Sequence, residues 1–223
     1  MCTAVIKKAS QQNFGEAAFT RSGLAVYDQL VLNLICPLAW GCSNERVLSR
    51  YAQYLTGNHL EVGVGTGYFL DRARFPVARP RIGLLDLNAN CLERTAARIA
   101  RYRPEVYRAN VLEPIRLDAP RFDSIGLNYV LHCLPGTFPA KGIALAHLKA
   151  LLNPGGVLFG ATVLNGGVPV SPVARVLLCF FNARNTLSNS RDHVDGLRAA
   201  LESQLHDVRI DVVGSVALFS GRA

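Results

Sequence analysis

Three glycines at alternate positions, with a carboxylate just before them, are the residues of this sequence with the clearest chemical use. Gly63, Gly65 and Gly67 follow an apolar run that begins at His59, and Glu61 lies two residues before the first glycine. Glycine lets a backbone take positive φ and approach a ligand closely, because no Cβ intervenes. The pattern predicts a strand, a tight turn and the start of a helix that together bind a nucleotide-like molecule.

The spacing of the glycines narrows the kind of ligand. The dinucleotide-binding fingerprint is G-x-G-x-x-G, whereas this turn has G-x-G-x-G followed by Tyr68, which disfavours NAD. No Gly-Lys-Ser/Thr follows the strand, so the phosphate-binding P-loop is absent as well. A second carboxylate, Asp86, stands at the end of the next apolar run, residues 81–86. The sequence therefore indicates a nucleoside ligand held between a glycine turn and an acid.

The elements that must position these residues alternate between apolar runs and helical patterns. This alternation predicts a parallel sheet with crossover helices, and the close-set final pair of runs predicts an antiparallel hairpin. The predicted helices cover residues 44–55, 90–102, 139–152 and 191–205. The predicted strands are the run into the glycine turn and residues 82–87, 105–109, 122–130, 156–164, 208–213 and 215–220.

In these motifs and their order, residues 59–163 and the final strand pair resemble the class I S-adenosylmethionine-dependent methyltransferases. The first motif of that family is E/D-x-G-x-G-x-G, and its second strand ends in an acid. The resemblance implies a three-layer α/β/α Rossmann-like fold with a seven-stranded sheet, mostly parallel with an antiparallel last strand. We expect one globular unit, with an N-terminal helical lid segment over residues 1–57, a cofactor-binding core over 58–223 and a lid insertion at 165–190.

The same resemblance implies S-adenosylmethionine as cofactor and assigns a role to each matching residue. The glycines would admit the methionine and ribose, Asp86 would accept hydrogen bonds from the ribose hydroxyls, and Leu87 would pack on the adenine. Asn110 and Val111 stand where the family often has an aspartate and a small residue for the adenine amino group. The implied cofactor-binding residues are Glu61, Gly63, Gly65, Gly67, Asp86, Leu87, Asn110, Val111 and Asn128.

Two apolar segments outside the core pattern, residues 24–40 and 173–181, predict a lid over a lipophilic substrate pocket, although simple packing onto the core is an equal alternative. Tyr27 and Trp40 could shape the mouth of this pocket, and Trp40 could equally belong to the core. Methyl transfer to an activated nucleophile needs orientation more than a strong base. If a proton must be removed, His132 is the candidate base; a structural histidine is the alternative.

The composition of the chain limits the classes of partner that it could bind. The chain has 223 residues, half of them hydrophobic, and a net charge of +8 that permits nucleic acid or an anionic membrane as partner. Its arginines are scattered, and those that recur with helical spacing are typical of solvated helix faces. Six cysteines are widely spaced without metal-ligand patterns, so no metal is predicted. No apolar run is long enough to span a bilayer, and we expect a cytoplasmic protein, with a homodimer through the exposed lid as one possibility.

The sequence therefore predicts methyl transfer to an O, N or C nucleophile of a lipophilic small molecule, in biosynthesis or secondary metabolism. One alternative is a protein that binds the cofactor but catalyses a cyclisation or rearrangement, or serves as a binding module. A further alternative is RNA methylation, which the net charge motivates. Nucleic acid is disfavoured, because residues 128–131 read Asn-Tyr-Val-Leu where amino-methylating nucleic-acid enzymes of this class carry Asn/Asp-Pro-Pro-Tyr.

Overall fold

The computed structural model describes Asp28 and residues 35–223, and within them a seven-stranded sheet forms the centre of the fold. The order across the sheet is β3-β2-β1-β4-β5-β7-β6. The strands are β1 (Asn58–Val62), β2 (Arg81–Asp86), β3 (Glu105–Arg108), β4 (Phe122–Asn128), β5 (Leu152–Val163), β6 (His206–Val213) and β7 (Val216–Arg222).

The strand directions confirm the predicted topology. β1 pairs in parallel with β2 and β4, β2 with β3, and β4 with β5. The last strand, β7, runs antiparallel to both β5 and β6. The carboxyl ends of β1, β2, β3 and β4 therefore meet at one edge of the sheet, where α/β folds bind their ligands.

Helices cover both faces of the sheet, so the architecture is the expected three-layer α/β/α arrangement. One buried cluster contains Tyr51, Ile82 and Phe159, and the other contains Leu60, Leu85 and Leu145. The helices are α1 (Cys36–Leu38), α2 (Asn44–Tyr54), α3 (Tyr68–Arg72), α4 (Ala89–Arg98), α5 (Phe138–Lys149), α6 (Pro172–Ala183) and α7 (Val194–Glu202), with short 3-10 turns at Ala100–Tyr102 and Leu131–Cys133.

Several observed strand boundaries differ from the predicted ones, and the shift at the start of the fifth strand has a clear reason. Prediction ended a helix at residue 152 and began the fifth strand at residue 156, because Asn-Pro-Gly-Gly is a turn signal. In the structure α5 ends at Lys149, and β5 already begins at Leu152. Leu152 pairs with Phe122 and Val157 with Ser124, so the turn residues form a bulge within the strand.

The predicted lid segments are only partly described. Residues 1–27 and 29–34, which include Tyr27, lie outside the described residues. The described end of the first segment packs against the insertion, because Ser171 Oγ donates to the Ala39 carbonyl oxygen at 3.3 Å and Leu178 of α6 shares a cluster with Ala39. Helix α2, within the predicted lid segment 1–57, packs on the sheet instead, and Tyr51 is buried there.

Candidate functional site

The glycine turn adopts the backbone that its sequence predicts. Gly63, Gly65 and Gly67 have φ values of +68°, +52° and +73°, a region that disfavours residues with a Cβ. A Cβ on Gly63 would lie 2.2 Å from Val130 Cγ2, and one on Gly67 would lie 2.8 Å from Thr95 Cγ2. A Cβ on Gly65 would meet no atom of the described residues beyond its chain neighbours within 4 Å, so the first and third glycines serve packing and the middle one leaves open space there.

That open space belongs to a cavity of about 200 Å³ at the carboxyl edge of the sheet. Its walls come from the glycine turn, from the ends of β2 and β4, and from the segment after β3. The cofactor residues implied by the sequence, which the structure brings together along this cavity, are Glu61, Gly63, Gly65, Gly67, Asp86, Leu87, Asn110, Val111 and Asn128.

The acid at the end of β2 is held by backbone amides. Asp86 Oδ1 accepts the Asn88 amide at 2.9 Å, and Asn88 in turn caps α4 through its side chain. Burial raises the pKa of the Asp86 carboxyl above its ordinary value, and hydrogen bonds from backbone amides, Asn88 first, oppose that rise. The next side chain, Leu87, is 37% exposed and offers an apolar surface beside the carboxylate.

The segment after β3 contributes a folded turn. Asn110 Oδ1 accepts the Leu112 amide at 3.0 Å, and its Nδ2 donates to Glu113 Oε1 at 3.1 Å. The Asn110 oxygen keeps a second lone pair, since one carbonyl oxygen can accept two hydrogen bonds. Val111 is buried next to it.

A stripe of polar side chains runs under the opposite end of the cavity. Side chains two residues apart in a strand share a face, so His59 and Glu61 of β1 project with Ser124 and Asn128 of β4, on the side that carries α2. Glu61 Oε1 accepts the Tyr51 hydroxyl at 2.6 Å, and its Oε2 lies 2.9 Å from His59 Nε2. His59 Nδ1 lies 2.8 Å from Ser124 Oγ.

This stripe ends at the cavity with Asn128, whose Nδ2 donates to the Tyr51 hydroxyl at 3.0 Å. The other amide atom, Oδ1, is buried with no hydrogen-bond partner among the described residues. Gly126, between Ser124 and Asn128, makes room for the carboxylate, because a Cβ there would lie 2.5 Å from Glu61 Oε2. We call Tyr51, His59, Glu61, Ser124 and Asn128 the Tyr51–Glu61 network.

His132 and Trp40 are placed differently from the other candidates, since neither is among the described residues that line the cavity. His132 Nδ1 accepts the Val163 amide at 3.2 Å, and burial, followed by the charge of Lys141, lowers its pKa to about 3. This geometry favours the alternative of a structural histidine over a base. Trp40 is 5% exposed within the core cluster, and its carbonyl oxygen accepts the Ser215 amide.

Sequence reasoning gave no site role to Tyr129, which lines the cavity, or to Tyr51 and His59, which are hydrogen-bonded to the cavity-lining Glu61. Tyr51 fitted an ordinary helical stripe, which gave no reason to separate it from core residues. His59 was the available signal, because a histidine inside an apolar strand needs polar partners when buried. Tyr129 lines the cavity directly after β4 with a φ of +59°, an uncommon conformation for a residue with a side chain.

Comparison with known proteins agrees with this geometry. A family model described as a methyltransferase domain matches residues 60–158. Demethylluteothin O-methyltransferase of Streptomyces thioluteus is 46% identical over 205 residues, covering 92% of this chain and 89% of that protein. The chain belongs to the class I S-adenosylmethionine-dependent methyltransferases. This methyltransferase uses S-adenosylmethionine as its cofactor and acts on small molecules.

Further relatives of the methyltransferase extend the comparison. Methyltransferase ctvB of Aspergillus terreus is 39% identical over 202 residues, covering 88% of each chain. Among solved structures, the DhpI complex with S-adenosylhomocysteine superimposes with a TM-score of 0.67 at 16% identity, covering 94% of this chain and 95% of that one. N-methyltransferase NodS of Bradyrhizobium japonicum gives a TM-score of 0.58 at 16% identity, covering 92% and 98%. At these identities the two structures bear on the fold, which they confirm.

Proposed function

We propose that this methyltransferase transfers a methyl group to a hydroxyl oxygen of an apolar small molecule in a biosynthetic pathway. The observation that carries the proposal is the division of the cavity. Its β2 end presents the Asp86 carboxylate, and its β4 end is walled by apolar residues that include Val130, Leu134 and Pro135. The identity of 46% to an O-methyltransferase supports oxygen as the acceptor atom.

The residues of the cavity fit S-adenosylmethionine, and we propose the following placement. Successive parts of the cofactor lie along the edge of the sheet in the order of its strands. Asn110 and Val111 after β3 hold the adenine with Leu87, and Asp86 after β2 accepts hydrogen bonds from the ribose hydroxyls. The space at Gly65 admits the ligand against the turn, where no Cβ stands in the way. Asn128 Oδ1 at the end of β4, which has no hydrogen-bond partner within the described residues, then faces the methionine, near Glu61.

The cofactor supplies a methyl group on a positively charged sulfur, which an incoming nucleophile displaces in line. The protein's task is to orient the acceptor and to exclude water. Burial raises the pKa of Cys133 to about 12 and that of Tyr129 well above its ordinary value, so these cavity side chains keep their protons near neutral pH. We therefore expect acidic hydroxyls, such as enols and phenols, to be better acceptors than aliphatic alcohols.

The test is incubation of the protein with S-adenosylmethionine carrying a deuterated methyl group and a panel of apolar enols, phenols and alcohols. Each compound is matched with its methyl ether and its amine analogue. We expect the mass of one labelled methyl group on the enols and phenols, and none on the ethers. Transfer to the amines alone would refute oxygen as the acceptor. Binding of the cofactor product without any transfer would favour the non-methylating alternative.

Several finer expectations remain proposals. The lipophilic character of the acceptor, the cytoplasmic location, the lid role of residues 24–40 and 165–190 and the possible homodimer rest on the sequence pattern. Exposed apolar side chains at Leu38, Val176 and Phe180 support an apolar partner or substrate for the two segments. No helix within the described part of the chain is long and apolar enough to cross a membrane.

A further inference from the structure

The side-chain amide of Asn128 has a defined orientation, and its cause lies in helix α2 rather than in the cavity. Nitrogen and oxygen of an amide are distinguished by their hydrogen-bond partners. Asn128 has one partner among the described residues, the hydroxyl of Tyr51, at 3.0 Å. Which amide atom faces that hydroxyl decides which atom is left for a ligand.

The hydroxyl of Tyr51 can serve Asn128 only as an acceptor. A carboxylate only accepts hydrogen bonds, so the single proton of Tyr51 is committed to Glu61 Oε1 at 2.6 Å. Burial, and then the Glu61 carboxylate, raise the pKa of Tyr51 well above its ordinary value, so the hydroxyl keeps this proton. A reversed Asn128 amide would set two oxygens against each other with no proton between them. Nδ2 therefore faces Tyr51, and Oδ1 of this cavity-lining residue is left without a partner among the described residues.

The rest of the network holds Tyr51 and Glu61 in place. The Tyr51 ring packs edge-on against Phe159 with centroids 5.2 Å apart. The second carboxylate oxygen of Glu61 lies 2.9 Å from His59 Nε2, so the carboxylate cannot rotate away from Tyr51 without losing that contact. Each member thus limits the rotation of the next, and the chain of contacts ends at Asn128 Oδ1.

We propose that Tyr51 is a positioning residue that turns the Asn128 carbonyl oxygen towards the ammonium group of the cofactor's methionine. The inference rests on the placement of the cofactor proposed above, in which the methionine lies at the β4 end of the cavity. An ammonium group can only donate hydrogen bonds, and a buried carbonyl oxygen that still needs a hydrogen-bond partner is a suitable acceptor for it. A flipped amide would present its own donors to that group and repel it.

The test is calorimetric titration of the full chain with two ligands, S-adenosylhomocysteine and 5′-methylthioadenosine. The second ligand keeps the nucleoside and the thioether but lacks the amino-acid group. Tyr51→Phe removes the hydroxyl, keeps the ring and frees the Asn128 amide to rotate. We expect about tenfold weaker binding of S-adenosylhomocysteine, since a hydrogen bond to a charged group is lost, and less than twofold change for 5′-methylthioadenosine. Equal weakening of both ligands, or of neither, would overturn the proposal.

Tyr54→Phe is the matched control. Tyr54 lies on the same helix and packs against the same Phe159 ring. Its hydroxyl accepts a partly buried hydrogen bond from Ser220 Oγ at 3.0 Å, and the variant loses this bond. This variant should bind both ligands as the unaltered protein does. A selective loss of S-adenosylhomocysteine in Tyr54→Phe would show a general effect of α2 and would count against the proposal.

Asn128→Ala keeps the proposal testable even if Tyr51→Phe does not fold. This variant should weaken the binding of S-adenosylhomocysteine but not that of 5′-methylthioadenosine. Equal weakening of both ligands, or no weakening, would contradict the inference. In the Asn128→Ala background, adding Tyr51→Phe should change binding by less than twofold, because Tyr51 acts through Asn128. Additive losses would instead mean that Tyr51 acts through Glu61, and the proposal would fall.

These outcomes are separate from the fate of the proposed function. If the unaltered protein bound neither ligand, the cofactor placement itself would fail, and the inference with it. If it bound both and Tyr51→Phe had no selective effect, only the role of Tyr51 would fail. The identity of the methyl acceptor does not enter either measurement.

Discussion

Two buried groups of polar and ionisable side chains among the described residues each leave an oxygen without a hydrogen-bond partner, and they differ in where that oxygen lies. In the Tyr51–Glu61 network, hydrogen bonds lead to Asn128, which lines the cavity and whose Oδ1 has no hydrogen-bond partner in the part of the chain that the structure describes. In the second group, fully buried Lys141 of α5 donates to Asp192 Oδ2 at 2.6 Å and to the Ser188 carbonyl oxygen at 2.7 Å. Asp192 Oδ1 likewise has no hydrogen-bond partner among the described residues, but neither Lys141 nor Asp192 is among those that line the cavity.

The difference teaches that a buried charge is not by itself a sign of a binding site. The Lys141–Asp192 pair joins α5 to the segment that precedes α7. The Asp192 carbonyl oxygen also accepts the Asn165 and Gly166 amides, so the same residue binds the segment that follows β5. Its contacts hold loops to the sheet. The Tyr51–Glu61 network is also buried, but its members Glu61 and Asn128 lie near the carboxyl ends of β1 and β4 and line the cavity. Location relative to the carboxyl edge of the sheet separates the two roles.

The largest expected effect is on the structural pair. Lys141→Met leaves Asp192 buried without its counter-charge, and we expect a loss of about 3–5 kcal/mol in the free energy of unfolding. Urea denaturation measures this loss, and binding of S-adenosylhomocysteine at low temperature should stay unchanged in the folded fraction. The double variant Lys141→Met/Asp192→Leu should recover much of the stability. A loss below about 1 kcal/mol, or a selective loss of binding, would break the distinction between the two groups.

His132 provides a second test of the comparison. It is buried near Lys141 of the structural pair, although the sequence suggested it as a candidate general base. Its pKa falls from the ordinary 6.5 to about 3, so between these values the unfolded chain binds a proton that the folded chain does not. The stability from this group is therefore present above pH 6.5 and is lost as the pH falls towards 3. At pH 5 the loss should be about 2 kcal/mol.

His132→Asn keeps an acceptor near the position of Nδ1 but removes the titration. Its free energy of unfolding should therefore depend less steeply on pH between 6.5 and 5 than that of the unaltered protein, as denaturation at several pH values will show. Methyl transfer by the variant should persist for an acidic acceptor. A large loss of the catalytic rate with unchanged substrate affinity would instead restore His132 as the base.

The fold could be predicted, and cofactor-binding residues could be proposed, because many of their signals are local. Alternating apolar runs predict which segments form strands, and the resemblance to the methyltransferases implies how those strands are arranged in the sheet. The positive φ of Gly63, Gly65 and Gly67 is a property that glycine alone supplies easily. Asp86 could be found because it ends a strand at the same edge. These inferences need no knowledge of distant contacts.

The Tyr51–Glu61 network could not be predicted, because it depends on contacts between distant parts of the chain. The Tyr51 hydroxyl meets Asn128 only after β1 and β4 pair in register and α2 packs on them. The structural position of His132 likewise depends on Val163, in a strand beyond an intervening helix. The bulge in β5 was hidden for a similar reason, since pairing with β4 and β7 overrides the local turn signal.

The central claim is that the space beside Gly65 is the cofactor site, and two alanine variants test it most directly. Gly65 and Gly155 both have positive φ, +52° and +75°, and within the described parts of the chain a Cβ on either would meet no atom beyond its chain neighbours within 4 Å. Both substitutions should therefore cost about 1 kcal/mol of stability. Gly65 lines the cavity, whereas Gly155 lies in the bulge of β5.

The measurement is calorimetric titration of S-adenosylhomocysteine into the unaltered protein, Gly65→Ala and Gly155→Ala. We predict binding at least about tenfold weaker for Gly65→Ala, because the added methyl group occupies ligand space, a loss of about 1.4 kcal/mol. Gly155→Ala should bind as the unaltered protein does. Equal affinities for all three proteins would contradict the account.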